Sequence, residues 1–468
     1  MNTARFAILT CLLLAGPGAC VGPSMIKRQE LSLPRDWKNA GGFPVASPTR
    51  DLTRWWGRFN DPVLSRVIGD ALRNSPDMAA ASARVRESRA RRDAERASLF
   101  PSLGGSASSS SRALDSDPGG TDKNTSYSAG LDASWEVDLF GKRRSAVEAA
   151  SADLGAAGEN LNSVQAALAS EIAIAYTTLR ATEAGLQVLL RNVKTREETY
   201  QLASWRQQAG EADSLESSQA LSSFEQARAA IPSLEQTASR SRNLLALLSG
   251  REPGGLDAML ASGNKGIPDP PRSLAIGIPA DTLRQRPDVR IAGYQLLAAA
   301  ASVRAADAER YPSLDLSGSL GLNALSSGKL FNPETASAGI IAGISSPIFD
   351  AGRIRANIEA QSAVEEQTYQ AYRATVLTAL SETEDALIAC RRTAERLATL
   401  EKATAAAREA DTLARQRYET GEIDFLSVLD AQRSLLNLED NLFSIRTDRT
   451  IAYIQLYKAL GGGWSAGS

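Results

Sequence analysis

The sequence predicts a mixed membrane protein in which long α-helical hairpins are joined to four membrane-length β-strands. Three observations predict this fold class. The chain is one unit written twice, each copy carries two segments that alternate with period two, and each copy then continues for about 67 residues without a proline.

The duplication is read from landmarks. Leu72-Arg73-Asn74-Ser75-Pro76-Asp77 matches Leu283-Arg284-Gln285-Arg286-Pro287-Asp288, an offset of 283 − 72 = 211. At that same offset Phe100-Pro101-Ser102-Leu103 matches Tyr311-Pro312-Ser313-Leu314, and Gly141 with Arg144 matches Gly352 with Arg355. Gly210-Glu211 with Asp213 matches Gly421-Glu422 with Asp424, and Gly250 matches Gly461. The copies therefore span 72–250 and 283–461. A connector at 251–282, rich in Pro and Gly, joins them. Residues 20–71 form an N-terminal segment and 462–468 a short tail.

Residues 1–19 read as a secretory signal, with Arg5, an apolar run from Phe6 to Ala15, and small residues after it. Cys20 follows Gly18 and Ala19, which suits lipoprotein processing with Cys20 acylated as the first mature residue, although Pro17 stands where such a signal normally has Leu. Ordinary cleavage nearby would instead leave Cys20 a free thiol. Val21 in place of Asp is compatible with transfer to the outer membrane. Cys11 lies in the removed segment and Cys390 is left alone, so no intrachain disulfide is expected.

Within each copy a first helical stretch, about 62–98 and 280–309, ends at a proline. Two alternating segments follow. Tyr127, Ala129, Leu131, Ala133, Trp135, Val137 and Leu139 interleave with Ser, Gly, Asp and Glu, and Leu314, Leu316, Leu320 and Leu322 interleave with Ser, Asp and Gly. Period two marks a strand with one wet and one apolar face. The partner strands, about 102–113 and 336–349, are richer in Ser, Gly and Ala. Turn residues lie between partners: Asp115 to Gly120 in one copy, Ser326 to Pro333 in the other.

Leu161, Val164, Leu168, Ile172, Leu179, Leu186, Leu190 and Val193 then follow helical steps along one face. From Gly141 to Gly210 no proline interrupts, and about 67 residues at 1.5 Å each give a helix of roughly 100 Å. A break at Gly210 and a return helix to about Leu248 make a long antiparallel hairpin; Gly421 does the same in the second copy.

No apolar stretch beyond the signal reaches the roughly 18 residues that a spanning helix needs, so any membrane crossing falls to strands. Four strands of about ten residues match an outer membrane, but open edges are not tolerated in lipid and known bacterial barrels have at least about eight strands. The barrel must be shared: two chains give eight strands, three give twelve. Trp135, Tyr127, Phe140, Tyr311 and Phe349 lie where an aromatic girdle would sit. The alternative is a soluble β-hairpin layer packed on helices.

Composition narrows the function. The formal net charge is −2, so no basic excess exists to neutralise phosphates and nucleic acid is not an expected partner. Aromatics make up 6 % of the chain, which points to thin helical packing with small residues at close contacts. Histidine is absent, which removes the usual general base, the Ser–His and Cys–His pairs, and most zinc sites. This counts against catalysis without excluding a carboxylate-based enzyme. No cofactor is expected.

The chain resembles the TolC-like outer membrane factors, in the lipoprotein branch named after NodT, over nearly all its length. The resemblance is carried by Trp55-Trp56 through Phe59-Asn60-Asp61-Pro62, by Leu283 to Arg290, and by Pro347-Ile348-Phe349-Asp350-Ala351-Gly352-Arg353. Arg417-Tyr418-Glu419-Thr420-Gly421, Leu429 to Leu435 and Leu456 to Trp464 complete it. Two departures stand out: members of this branch usually carry Cys two positions before Val-Gly-Pro, whereas Cys20 directly precedes Val21-Gly22-Pro23, and Ala351 replaces a common Gly. The resemblance implies a homotrimer with a shared twelve-stranded β-barrel continuous with a periplasmic α-barrel. It implies a lipid-anchored location in the outer membrane, docking to a periplasmic adaptor and an inner-membrane pump of the RND type, and the export of small molecules such as drugs and toxic compounds.

The resemblance also implies where function sits. The turns at Gly210 and Gly421 would form the periplasmic tip, beside grooves that receive the adaptor; both are helix ends in any case. The channel constriction would fall at Leu426, Asp430 and Arg433, near one another on a helix by three- and four-residue spacing. Threefold symmetry would make Asp430 a ring of carboxylates that favours cations and repels anions, or Arg433 would pair with it along the helix. Copy one has Gln219 and Ser222 at the corresponding places, so the repeat keeps the scaffold without the charge pair. Some family members carry a second Asp where Ser427 stands. The reading that competes from another class is a periplasmic coiled-coil scaffold or adaptor without a pore.

Overall fold

The computed structural model describes residues 33–41, 52–116, 120–263, 266–271 and 279–464, and the side chains of 114–123 are left out of the description. The signal segment, Cys20 and its neighbours, and the tip of the first strand turn lie outside the described residues. After a 3-10 turn at Trp55–Phe59 come α1 (Pro62–Asn74), α2 (Pro76–Ala97), β1 (Ser102–Ser116), β2 (Gly120–Val137) and α3 (Lys142–Gln208). Next are α4 (Ser214–Ala229), α5 (Ile231–Leu248) and the short α6 (Asp257–Ala261). The second copy supplies α7 (Pro279–Gln285), α8 (Pro287–Ala308), β3 (Ser313–Ala324), β4 (Ala336–Ser345), α9 (Arg353–Glu419) and α10 (Phe425–Ala459).

Three sequence boundaries are corrected. The first helical stretch of each copy is two helices, broken before Pro76 and Pro287, because the residue ahead of a proline is pushed out of the α region. The fourth strand stops at Ser345 rather than 349, since Pro347 cannot donate to a ladder. In copy one the return helix of the hairpin is broken at Ala230, two residues before Pro232, whereas α10 in copy two runs unbroken for 35 residues.

The described chain divides into two compact units. One holds Ser98–Ala146 and Ala299–Gln367. Its centre is an antiparallel four-stranded sheet in the order β1-β2-β3-β4, so β1 and β4 are free edges within the chain. The register aligns most apolar residues of the four strands on one face, Ile341 opposite Ser317 being an exception: Leu103 lies opposite Ala133, Leu131 opposite Leu320, Trp135 opposite Leu316, and Leu314 opposite Ile344. Among the described residues nothing covers that face. Leu103, Leu131, Leu320, Ile340 and Ile344 are all exposed. The other face is mostly Ser, Gly, Asn and Asp, with Arg112, Glu136 and Ile341 among them, and on it Ser102 meets Ser134 at 2.8 Å and Ser313 meets Ser345 at 2.9 Å. At the sheet end where β2 gives way to α3, the Trp135 indole N–H donates to the Leu99 carbonyl at 3.0 Å, and Phe140 stacks on Tyr311 with ring centroids 4.9 Å apart.

The second unit holds Leu33–Ala97, Val147–Ala298 and the chain from Thr368 on. It contains a conventional core in which Trp55, Phe59, Leu64, Ile68, Ile172, Tyr176, Leu245 and Tyr457 are buried together. Trp55 stacks on Tyr457 at 5.3 Å, which fastens the N-terminal segment to the last helix. Asp61 caps α1 through the Val63 and Leu64 N–H groups and accepts the Tyr176 hydroxyl at 2.8 Å. One contact is built twice. A Cβ on Gly250 would fall 2.4 Å from the Asn74 carbonyl oxygen, and one on Gly461 would fall 3.2 Å from that of Gln285. Both pairs are 211 apart (461 − 250, 285 − 74), and both glycines have positive φ, 65° and 75°. Among the described residues no helix is long and apolar enough to cross a membrane.

Candidate channel constriction and hairpin tips

The two hairpin turns are built alike from their residues upward. Gly210 and Gly421 have φ of 77° and 78°, the left-handed conformation that ends a helix at low steric cost. Glu211 N–H then bonds the Arg206 carbonyl and Glu422 N–H the Arg417 carbonyl, both at 2.8 Å, closing the last turn. Three residues on, Asp213 and Asp424 cap α4 and α10. The Ser427 hydroxyl and N–H, at 2.6 and 3.0 Å, hold the Asp424 carboxyl below the usual aspartate range.

Side chains that sequence spacing did not single out bring the two hairpins together. The Tyr418 hydroxyl, on α9, donates to the Glu216 carboxylate on α4. Arg206 lies over the Tyr418 ring at 4.8 Å and Phe425 packs beside it at 5.5 Å. Beneath them Ala203, Ala220, Val428 and Leu429 make a small buried cluster. Burial raises the Glu216 carboxyl above its ordinary value, against a lowering by Arg206. No sequence signal marks this link, because its partners are 202 residues apart.

Leu426, Asp430 and Arg433 come out on an open face of α10, with Leu426 55 % exposed and the side chains of Asp430 and Arg433 80 % and 66 % exposed. Asp430 and Arg433 approach only to 3.9 Å, so the pair is loose and worth a few tenths of a kcal/mol at most. Leu215, the copy-one counterpart of Leu426 (426 − 211), is also exposed. The hydrophobic member of the set is therefore duplicated while the charged pair is not. Among the described residues no cluster of three or more acidic or thiol groups is arranged to hold a metal.

The profile of the family described as Outer membrane efflux protein matches residues 67–251 and again 278–462. The chain is 34 % identical over 469 residues to the pyoverdine export outer membrane protein OpmQ of Pseudomonas aeruginosa, covering 98 % of this chain and 96 % of that one. It is 32 % identical over 431 residues to the toluene efflux pump outer membrane protein TtgF of Pseudomonas putida, covering 91 % and 89 %. Among solved structures, the outer-membrane channel OprN superposes with a TM-score of 0.87 at 31 % identity, over 92 % of this chain and 97 % of that one. The open-state MtrE channel of Neisseria gonorrhoeae gives 0.82 at 29 % identity, over 92 % and 96 %. The uncovered apolar sheet is the part of this fold that meets lipid, and the protein is an efflux channel of the outer membrane. Matched by the profile in both repeats and by its relatives nearly end to end, the chain belongs to the outer membrane efflux protein family.

Proposed function

We propose that three copies of this chain close a twelve-stranded barrel and form a duct that passes small organic molecules from a periplasmic adaptor and an RND-type inner-membrane pump to the exterior. The observation that carries the assembly is the four-stranded sheet, which among the described residues has two unpaired edges and an uncovered apolar face. A single copy would leave β1 and β4 unpaired in lipid, which three copies arranged in a ring avoid. Relatives named for pyoverdine, toluene and solvents support small organic cargo.

In this reading Leu426, Asp430 and Arg433 narrow the periplasmic end, and the turns at Gly210 and Gly421 meet the adaptor. Cys20 carries the lipid that tethers the mature chain. The exposure of Leu426 and Asp430 on one face of α10, and the loose Arg433 contact, support a ring of free carboxylates rather than a locked ion pair.

Single-channel conductance of the purified full-length protein in planar bilayers, with Asp430→Ala alongside, tests the reading. Cation-selective steps whose selectivity falls in the variant are expected. Silence of the wild type together with silence of Tyr418→Phe, which loosens the tip, would overturn the duct in favour of a scaffold without a pore.

A further inference from the structure

A cavity of about 610 Å³ opens in the helical unit between α3, the α4–α5 pair and α10, and shares Arg433 with the constriction set. That volume suits one drug-sized molecule. The broken helix borders the cavity. Ala230, Ser233 and Leu234, around the α4–α5 break, form one wall, and Phe443 stands in another. Phe443 is the copy-two counterpart of Pro232 (443 − 232 = 211) and lies in the unbroken α10. The cavity thus lies where copy one breaks and copy two continues.

The cavity is electrically lopsided. Arg196 lines one end and is only 7 % exposed. Its hydrogen bonds go to the carbonyl and hydroxyl of Ser223, both uncharged. Asp411, the carboxylate that acts on it, is itself paired with Arg415 at 2.9 Å. Arg433 lines the same cavity, and burial together with the charge of Arg433 disfavours the protonated Arg196. A buried guanidinium that shares a cavity with a second one, hydrogen-bonded to neutral groups and with its neighbouring carboxylate already paired to Arg415, is stabilised by an anion placed between them. Leu189, Leu234, Leu436 and Phe443 supply apolar walls. Asp440 and Asp448 border the cavity farther along α10, about 10 and 22 Å from Arg433 at 1.5 Å per residue, and would repel a second anionic group.

We propose that this cavity is a binding site for an amphipathic organic monoanion, its oxyanion held by Arg196 and Arg433 and its apolar body lying on Leu189, Leu234, Leu436 and Phe443. The site goes beyond the duct reading and names no cargo, because the Asp430 ring of that reading would repel a passing anion; it rests on that reading only in placing Arg433 beside the constriction.

The test uses the full-length protein in lipid nanodiscs, with anilinonaphthalenesulfonate and its uncharged analogue phenylnaphthylamine as probes. Binding is measured by equilibrium dialysis against empty nanodiscs. Sulfonate affinity is expected to fall at least about tenfold in Arg196→Gln, as loss of a charge-assisted hydrogen bond implies, while phenylnaphthylamine binding stays the same. Leu234→Trp, which fills the cavity without touching a charge, should weaken both probes. The proposal is overturned by no sulfonate binding above the empty discs, or by equal binding in the wild type and Leu234→Trp. Arg196→Gln that lowers both probes equally overturns the anion assignment. Because binding is read without current, a conducting pore lacking the site and a site in a protein without a pore give different results.

Discussion

Asp138 and Asp350 cap the two 67-residue helices from positions 212 apart (350 − 138), one residue out of step with the 211 that relates Gly141 to Gly352. Asp138 accepts from the Arg144 and Arg143 N–H groups at 2.9 and 3.3 Å, and Asp350 from Ile354 and Gly352 at 2.8 and 2.9 Å. Copy one reaches its helix through Leu139, Phe140 and Gly141. Copy two has only Ala351 and Gly352, and both are driven to positive φ, 54° and 87°.

A left-handed alanine costs about 1–2 kcal/mol, partly offset by the lower chain entropy of alanine in the unfolded state. Ala351→Gly should therefore stabilise the protein by about 0.5–1 kcal/mol, and Gly352→Ala should destabilise it by about 1 kcal/mol or more. Thermal unfolding followed by tryptophan fluorescence checks both signs. A lower midpoint for Ala351→Gly would mean that the shortened turn is not strained.

The turn glycines were legible because a positive φ selects glycine almost regardless of surroundings. Gly210, Gly421, Gly250 and Gly461 marked the repeat in sequence and have that conformation in the structure. The strands were legible because period two reports an uncovered face directly. Helix breaks were less so: Pro76, Pro232 and Pro287 are plain in the sequence, but a proline is tolerated in a first helical turn, and only packing decides whether it starts a helix or interrupts one. Tyr418 with Glu216, and Arg196 with Arg433, were invisible, since each pair joins different hairpins. The tertiary path that brings them together leaves no local spacing to read.

Acid should reach two of the helix caps only after carboxyls of ordinary pKa have been protonated. Hydrogen bonds from Ile354 and Gly352 lower Asp350, and those from Ser427 lower Asp424, below the usual 3.8. A depressed carboxyl contributes stability that is fully present above the unfolded value and is lost as pH falls through the folded one. The first turns of α9 and α10 should thus keep their amide protection at pH 5 and lose it below about pH 4. Hydrogen exchange of residues 353–357 and 425–429 across that range is the check. Asp424→Asn, which still caps but does not titrate, should remove the acid step at α10 alone.

The Tyr418–Glu216 link predicts unequal effects from its two halves. Tyr418→Phe leaves the half-buried Glu216 carboxylate without this donor and should loosen the tip by about 1–2 kcal/mol. Glu216→Gln keeps an acceptor for the hydroxyl and removes a charge that burial disfavours, so it should stay within about 0.5 kcal/mol of the wild type. The pH signs differ as well. A raised carboxyl imposes a penalty on the folded state above its folded pKa, and the penalty is relieved as pH falls, so the wild-type tip should tighten in weak acid. Glu216→Gln should lack that response. Protease cleavage rates at the two turns report it, and equal loosening by both variants would assign the link to packing alone.

Pro232 sets stability against the cavity. A proline within a helical run removes one hydrogen bond and crowds the carbonyl four residues back, here that of Arg228. The break leaves the Ala230 N–H on the Ala227 carbonyl at 3.2 Å, and α5 begins anew at Ile231. Pro232→Ala should let α4 and α5 fuse as α10 does, raising stability by about 1 kcal/mol once the looser unfolded chain is allowed for. Fusion would draw Ser233 and Leu234 toward the axis of a continuous helix and narrow the space opposite Phe443. Anilinonaphthalenesulfonate should then bind more weakly although Arg196 and Arg433 are intact. A variant that gains stability and keeps its affinity would show that the break does not make the cavity. One that loses stability would show that the proline is already well placed in the first turn of α5.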